Sequence, residues 1–157
     1  MLVEKSTLLP CGIEQCIQQI MSTQLLKYVS WPLVRFVPMD PPALPVLWES
    51  QKYLVKLRLF GFLPFGKQTI NISVASTDPN RVVLRDNAYG SLIDRWDHRI
   101  TLVPIEGGTL YTDRVHIRAG ILTPVVWAFA WFFYRHRQRR WRKLVDSGFT
   151  YSDYRMS

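Results

Sequence analysis

Residues 95–118, RWDHRITLVPIEGGTLYTDRVHIR, predict two β-strands joined by a tight turn. On each side of the turn, apolar and polar side chains alternate with a period of two, which is typical of a half-buried strand. The adjacent glycines Gly107 and Gly108 are typical of a two-residue hairpin turn. The stretch therefore predicts an antiparallel hairpin with one buried face.

The register of this hairpin decides how two polar residues on its apolar face relate to each other. If the two glycines form the turn, His98 faces Ile117, and Leu102 faces Asp113. His98 and Asp113 are then two inward rungs apart, with their Cα atoms roughly 13–14 Å from each other. A His–Asp pair would indicate general acid–base chemistry, but this register argues against a direct hydrogen bond. Each residue is then either a buried polar group with a local partner or a polar contact in a cavity.

Further strands precede the hairpin. A period of two runs through residues 53–59, 68–74 and 81–85, with Leu54 as an exception, and Leu2–Leu9 is another strand candidate. One face of these segments is apolar and the other is polar and often cationic. That pattern is typical of an antiparallel sheet with one solvated face.

Two short helices lie between the first strand and the sheet. Cys11–Met21 places its apolar residues at helical spacing. A second helix follows, with Ser22 or Thr23 as its cap and Pro32 as its end.

One long helix follows the hairpin. It begins near Thr123 and Pro124, a cap and first-turn pair, and runs to about Val145. Its first half is apolar on nearly every side, and its second half is amphipathic, with basic residues opposite the apolar stripe. It is the one element able to cover the sheet. The stripe comprises Trp127, Ala130, Trp131, Tyr134, Gln138, Trp141 and Val145.

The order of elements is strand, two short helices, about six antiparallel strands and one long helix. Together with WDHRITLVP (96–104), GGTLYTD (107–113), AGIL (119–122), Trp127 and YRHR (134–137), it resembles the START-like superfamily, also called SRPBCC. The nearest likeness is to small bacterial polyketide cyclase/dehydrase-like members. The resemblance implies an α+β helix-grip fold of the birch-pollen-allergen type, a curved antiparallel sheet around the C-terminal helix with a cavity between them. It implies no single activity, since members include carriers, cyclases and hydrolases.

Length and composition agree with one domain. The chain has 157 residues, 48% of them hydrophobic and 20% charged, so we expect a single helix-grip domain over residues 1–148 and a flexible tail over 149–157. Two cysteines are too few for a disulfide scaffold, which favours a reduced, cytoplasmic environment, and no leader segment is expected. No zinc spacing, phosphate loop or nucleophile elbow is visible. We therefore predict no metal, no cofactor and no catalytic set.

The net charge of +8 is concentrated in one segment. Six basic residues lie within 135–143, and the remainder of the chain has 14 basic and 12 acidic residues. This run is either a solvated helix end, a site for anionic lipid or a nucleic-acid contact. Nucleic acid is the least expected of the three, because no recognition motif accompanies the run. The nearly uncharged stretch 119–134 is shorter than the roughly 20 residues that cross a bilayer.

The apolar loop Phe60–Phe65 (FGFLPF) allows three interpretations: a loop folded over the core, a lid on the cavity, or a contact with membrane or a partner. The sequence leaves the oligomeric state open.

The predicted function is binding of a small hydrophobic or amphipathic ligand, such as a lipid, an isoprenoid or a polyketide-like compound, between the sheet and the long helix. One alternative is a cyclase or dehydratase that uses His98 or Asp113 as acid or base. Another is a peripheral membrane or partner-binding protein that uses Phe60–Phe65 and the basic helix end. The predicted ligand-binding residues are Tyr53, Leu57, Ile72, Trp96, His98, Ile100, Tyr111, Asp113, Val115, Trp127 and Ala130.

Overall fold

The structure is a computed structural model that describes residues 1–151. Within this part, the chain forms seven β-strands, three α-helices and one 3-10 helix. The strands are β1 (Leu2–Leu9), β2 (Val34–Asp40), β3 (Lys52–Leu59), β4 (Leu63–Asp78), β5 (Arg81–Gly90), β6 (Arg95–Ile105) and β7 (Gly108–Arg118). The helices are α1 (Ile13–Ile20), α2 (Thr23–Ser30), the 3-10 helix (Gly120–Leu122) and α3 (Thr123–Asp146).

The strands form one antiparallel sheet in the order β1-β7-β6-β5-β4-β3-β2. Consecutive strands from β2 to β7 pair as neighbours, and β1 pairs with β7. The register shifts once in each of the pairs β2–β3, β3–β4 and β4–β5. Such irregularities bend a strand and increase its twist, so this half of the sheet curls and leaves a concave face to be filled.

The two short helices form where the sequence predicts them, although α1 (Ile13–Ile20) is shorter at both ends than the predicted Cys11–Met21. The Ser22 hydroxyl caps α2 by accepting a hydrogen bond from the Gln24 N–H at 3.2 Å. The helix ends at Ser30 because Trp31 precedes Pro32, and a residue before proline favours extended backbone. Trp31 has φ −69° and ψ 140°, as that preference requires.

The long helix α3 fills the concave face. It has 24 residues, with Pro124 in its first turn, where the missing N–H of proline costs nothing. It packs against β1, α2 and β7, and its side chains meet the inward residues of β2 to β6 across the interior. The predicted α+β helix-grip fold, with a curved sheet around a C-terminal helix, is confirmed.

The register predicted for the β6–β7 hairpin is wrong. Ile105 pairs with Gly108, so the turn is formed by Glu106 and Gly107 rather than by the two glycines. Gly107 serves the turn, with φ +85°. Gly108 is a glycine for another reason: a Cβ at this position would lie 2.1 Å from the Leu9 carbonyl oxygen of β1. Gly108 is therefore required by the close approach of β7 to β1, not by the turn. Its position next to Gly107 made the pair look like a two-glycine turn.

The interior divides into two halves along α3. The closed half surrounds the C-terminal part of the helix, where Tyr28, Tyr111, Trp141 and Leu144 are almost completely buried. The cavity half surrounds the N-terminal part of the helix and is built largely from aliphatic and phenylalanine side chains. Its members include Val34, Leu57, Ile70, Ile93, Val126 and Phe133.

The C-terminal segment 149–157 was predicted to be a flexible tail. Phe149 and Tyr151 pack against the closed half, and the rings of Tyr28 and Tyr151 meet edge to face at 5.3 Å. Residues 152–157 lie outside the described residues. In the part of the chain that is described, no helix is both long and apolar enough to cross a membrane.

Candidate functional site

A cavity of about 100 Å³ lies between the sheet and the N-terminal part of α3. Its wall is mainly apolar, with aliphatic side chains from β2 to β6 and the rings of Phe129 and Phe133 from α3. Polar side chains are few and include Gln68, Asp86 and His98 from the sheet. Such a wall, apolar with a small number of polar groups, is typical of small-molecule sites.

Five of the eleven predicted ligand-binding residues line this cavity: Leu57, Ile72, Trp96, His98 and Ile100. They lie on the inward faces of β3, β4 and β6, as the period of two predicts.

The other six predicted residues do not line the cavity: five are buried elsewhere in the interior, and Trp127 is partly buried. Two have hydrogen-bond partners elsewhere: the Tyr53 hydroxyl accepts from the Glu49 N–H at 3.1 Å, and Trp127 Nε1 donates to the Leu2 carbonyl at 2.8 Å. The six are Tyr53, Tyr111, Asp113, Val115, Trp127 and Ala130.

The interpretation that His98 and Asp113 stand apart is wrong. In the observed register His98 pairs with Val115 and Ile100 pairs with Asp113, so the two polar residues are one inward rung closer than predicted. His98 Nε2 lies 2.8 Å from Asp113 Oδ1, and both side chains are buried. A carboxylate only accepts hydrogen bonds, so Nε2 carries the hydrogen of this bond.

Asp113 is the centre of a buried polar network. Its Oδ1 accepts a hydrogen bond from the Tyr111 hydroxyl, and its Oδ2 accepts one from Gln138 Nε2 at 3.1 Å. Burial alone would raise the pKa of Asp113. The hydrogen bond from His98 and the charge of Arg137 outweigh that effect and hold the pKa below its ordinary value. Asp113 is therefore an ionised carboxylate whose hydrogen bond to Nε2 fixes the orientation of the His98 ring.

Arg137 supplies the balancing positive charge. Its side chain is 6% exposed, and Nε donates to the Tyr111 hydroxyl at 3.2 Å and lies 3.7 Å from Asp113 Oδ1. The guanidinium also lines the cavity, and within residues 1–151 its terminal nitrogens Nη1 and Nη2 make no hydrogen bond. Arg137 therefore leaves donors for an acceptor inside the cavity.

Asp86 is the acidic side chain of the cavity wall. It lies opposite His98 on the neighbouring strand, and its Oδ1 accepts a hydrogen bond from the Asn71 N–H at 2.9 Å. Burial raises the pKa of Asp86 to about 6, partly opposed by that hydrogen bond and by the charges of His98 and Arg137. A buried carboxyl with a raised pKa at a cavity wall suits a hydrogen-bond anchor or a general acid or base.

Sequence reasoning missed Asp86 and Arg137, although each has a signal. The period of two that places Val82 and Leu84 inward also places Asp86 inward. Ala130, Tyr134 and Arg137 are spaced four and three residues apart, which puts Arg137 on the buried stripe of α3. The expectation that the basic residues all lie opposite this stripe is therefore wrong for Arg137.

The rest of the basic run is divided between two sides of α3. Arg140 packs over the ring of Tyr28, with its guanidinium carbon 4.1 Å from the ring centre, and Nε donates to the Tyr28 carbonyl at 2.8 Å. Arg135, Arg139 and Arg142 line a shallow groove of about 240 Å³ beside β1, together with Lys5.

A family model described as Domain of unknown function (DUF8410) matches residues 46–145, which is more than half of the chain. The chain belongs to this family. The matched region runs from just before β3 to the end of α3, so it contains Asp86, the His98–Asp113 pair and Arg137. No curated protein matches the chain.

Solved structures with the same fold cover almost the whole chain. A START superfamily protein from Mycobacterium smegmatis is 14% identical with a TM-score of 0.63, covering 93% of this chain and 97% of the other. The protein TTHA0849 from Thermus thermophilus is 12% identical with a TM-score of 0.66 and coverages of 96% and 100%. CV1439 from Chromobacterium violaceum is 11% identical with a TM-score of 0.63 and coverages of 92% and 96%. These similarities confirm the START-like fold.

Proposed function

We propose that this protein binds a compact amphipathic small molecule in the cavity between the sheet and α3. The observation that carries the proposal is the composition of the wall, in which an apolar cavity holds Asp86, His98 and Arg137. An apolar cavity that served packing alone would gain nothing from buried ionisable groups, because burying them costs free energy. A ligand with one polar group and an apolar body would use both parts of the wall.

The free volume limits the size of the ligand. An apolar cavity of about 150 Å³ takes up benzene, so a cavity of about 100 Å³ holds a single ring only if its wall moves slightly. A lipid, isoprenoid or polyketide-like molecule needs more room. Phe65 and Phe129, which are only partly buried and line the cavity, are the side chains whose movement would supply it.

The polar group of the ligand would contact hydrogen-bond donors from Arg137 and an acceptor from Asp86. Arg137 offers its terminal N–H groups, and Asp86 accepts when ionised and donates when protonated. A hydroxyl or carbonyl group satisfies this arrangement without adding charge. A carboxylate would pair with Arg137 but would also face Asp86, so it would bind more tightly when Asp86 is protonated.

Native mass spectrometry of the freshly purified protein, with extraction of any bound molecule, tests the proposal without assuming the ligand. Toluene and phenol then serve as probes that differ only by a methyl and a hydroxyl group. We expect both to shift the NMR signals of cavity residues, with phenol binding about tenfold more tightly because of one hydrogen bond to a charged group. Saturating probe with no shift at these residues, and no co-purified molecule, would refute the proposal.

A cyclase or dehydratase activity is the second candidate, and the direct hydrogen bond between His98 and Asp113 favours it. The pair resembles the base and orienting carboxylate of many general-base sites, and His98 reaches the cavity. A co-purified molecule that the protein converts would support this candidate, provided that His98→Gln lowers kcat. Unchanged turnover in His98→Gln would remove His98 from the reaction.

A further inference from the structure

The β3–β4 hairpin exposes a compact apolar surface. Phe60, Phe62 and Leu63 are 53%, 74% and 48% exposed. Trp31, from the end of α2, is 36% exposed, and its ring lies against the same turn, within 3.8 Å of where a Cβ of Gly61 would be. Single exposed apolar residues are ordinary on protein surfaces, but four large ones at one tip mark an interaction surface.

The backbone of this tip is held in an unfavourable conformation. Phe60 has φ +53° and Gly61 has φ +81°. A bulky residue other than glycine in the left-handed region is an outlier, and such strain concentrates at functional sites. The Phe60 N–H nevertheless donates to the Leu33 carbonyl at 2.8 Å, which anchors the turn to the start of β2.

Cations lie next to the tip on the outer face of the sheet. Lys56 on β3 lies directly opposite Lys67 on β4, and Arg58 lies between this pair and the tip. Like charges in directly opposite positions destabilise a sheet. The Lys56–Lys67 pair therefore costs stability unless an anion compensates for it.

The other half of the outer face pairs three of its cations with carboxylates, although Arg99 of β6 lies directly opposite both Arg85 and Arg114. Arg85 and Arg95 share the carboxylate of Asp97, at 2.8 and 3.0 Å, and Arg114 meets Glu4 at 3.5 Å.

Within residues 1–151, Lys56, Arg58 and Lys67 have no carboxylate within 4 Å. An apolar tip beside cations without carboxylate partners is the pattern of a surface that inserts into an anionic bilayer.

We propose that the β3–β4 tip docks this protein on an anionic membrane surface. Phe60, Phe62 and Leu63 enter the boundary between headgroups and acyl chains, and Lys56 and Lys67 contact the phosphates of the headgroups. The basic run of α3 is not part of this surface, because its exposed members Arg135, Arg139 and Arg142 lie beside β1, at the other edge of the sheet. This contact does not depend on what the cavity binds.

Vesicle co-sedimentation of the full chain tests the proposal. The vesicles are phosphatidylcholine alone, and phosphatidylcholine with about one-third phosphatidylglycerol. We expect binding to the anionic vesicles, a fall of at least fivefold without phosphatidylglycerol, and a similar fall in high salt.

Three variants locate the surface. Phe62→Ser removes the most exposed ring, and Lys56→Glu replaces a like-charge pair with an opposite-charge pair, which favours the folded sheet. Each should weaken binding at least fivefold while the circular dichroism spectrum and thermal midpoint are maintained. The matched control is Arg99→Glu, which makes the same change of charge on the outer face of β6 and should bind like the natural protein.

Two results would overturn this assignment. One is no sedimentation with anionic vesicles at low salt, which leaves an acidic protein or nucleic acid as the partner of the cations. The other is an equal loss in Lys56→Glu and Arg99→Glu, which would show that binding follows net charge rather than this tip. Neither result affects the probe-binding test of the cavity.

Discussion

The closed half and the cavity half of the interior are built from the same helix and the same sheet, but one is close-packed and the other leaves free volume. In the closed half, Trp141 fills the space, with its ring centre 4.4 Å from that of Tyr111. In the cavity half, Phe129 and Phe133 stack along α3 and leave free volume beside them. The polar network around Asp113 lies where the halves meet. The fold therefore concentrates its stability at one end of α3 and leaves the other end free to accommodate a ligand.

The largest expected difference between the halves is in the cost of removing an aromatic ring. Trp141→Ala should lower the free energy of unfolding by about 3–5 kcal/mol, because the side chain is fully buried and close-packed. Phe129→Ala should lower it by about 1–2 kcal/mol, since that ring is partly exposed and borders the cavity. Urea unfolding measures both, and equal losses would remove the distinction between the halves.

The network at the boundary should depend on charge balance. Asp113→Asn removes the carboxylate beside buried Arg137 and should cost about 3 kcal/mol, because it leaves a buried charge without its partner. Adding Arg137→Met should restore part of this loss. Urea unfolding of the two single variants and the double variant measures the coupling. Strictly additive losses would show that the two charges do not compensate each other.

The two buried carboxylates should give stability opposite dependences on pH. The pKa of Asp113 is below its ordinary value in the folded state, so its contribution is present above about pH 4 and is lost as the pH falls.

For Asp86 the sign is reversed. Its pKa rises from 3.8 to about 6 on folding, so the folded state binds the extra proton and stability falls as the pH rises through that window. The fall should be about 1–3 kcal/mol between pH 4 and 6. It should be absent in Asp86→Asn, where the hydrogen bond from Asn71 can remain. Chemical unfolding at a series of pH values checks this, and an identical slope in Asp86→Asn would contradict the assignment.

The sequence was sufficient for the fold and for part of the site. The spacing of apolar residues, the capping residue Ser22 and the helix-ending Pro32 predicted the helices and strands, because these signals are local in the sequence. The hairpin register failed because Gly108 is required by the backbone of β1, which is distant in sequence. Because of that error, the predicted distance between His98 and Asp113 was too large by one inward-facing pair of residues. The spacing of Arg137 from Ala130 and Tyr134 places it on the buried stripe, but nothing in the sequence indicates its carboxylate partner Asp113 on another strand.

The central claim is that the cavity binds the ligand, and a variant that fills the cavity tests it most directly. Ile72→Trp places a larger side chain in the wall, whereas Ser73→Trp places the same side chain on the outer face of the same strand. Phenol titrations followed by NMR should show binding to the natural protein and to Ser73→Trp, and at least tenfold weaker binding to Ile72→Trp. Equal phenol affinity in a folded Ile72→Trp variant would contradict the claim that the ligand sits between the sheet and α3.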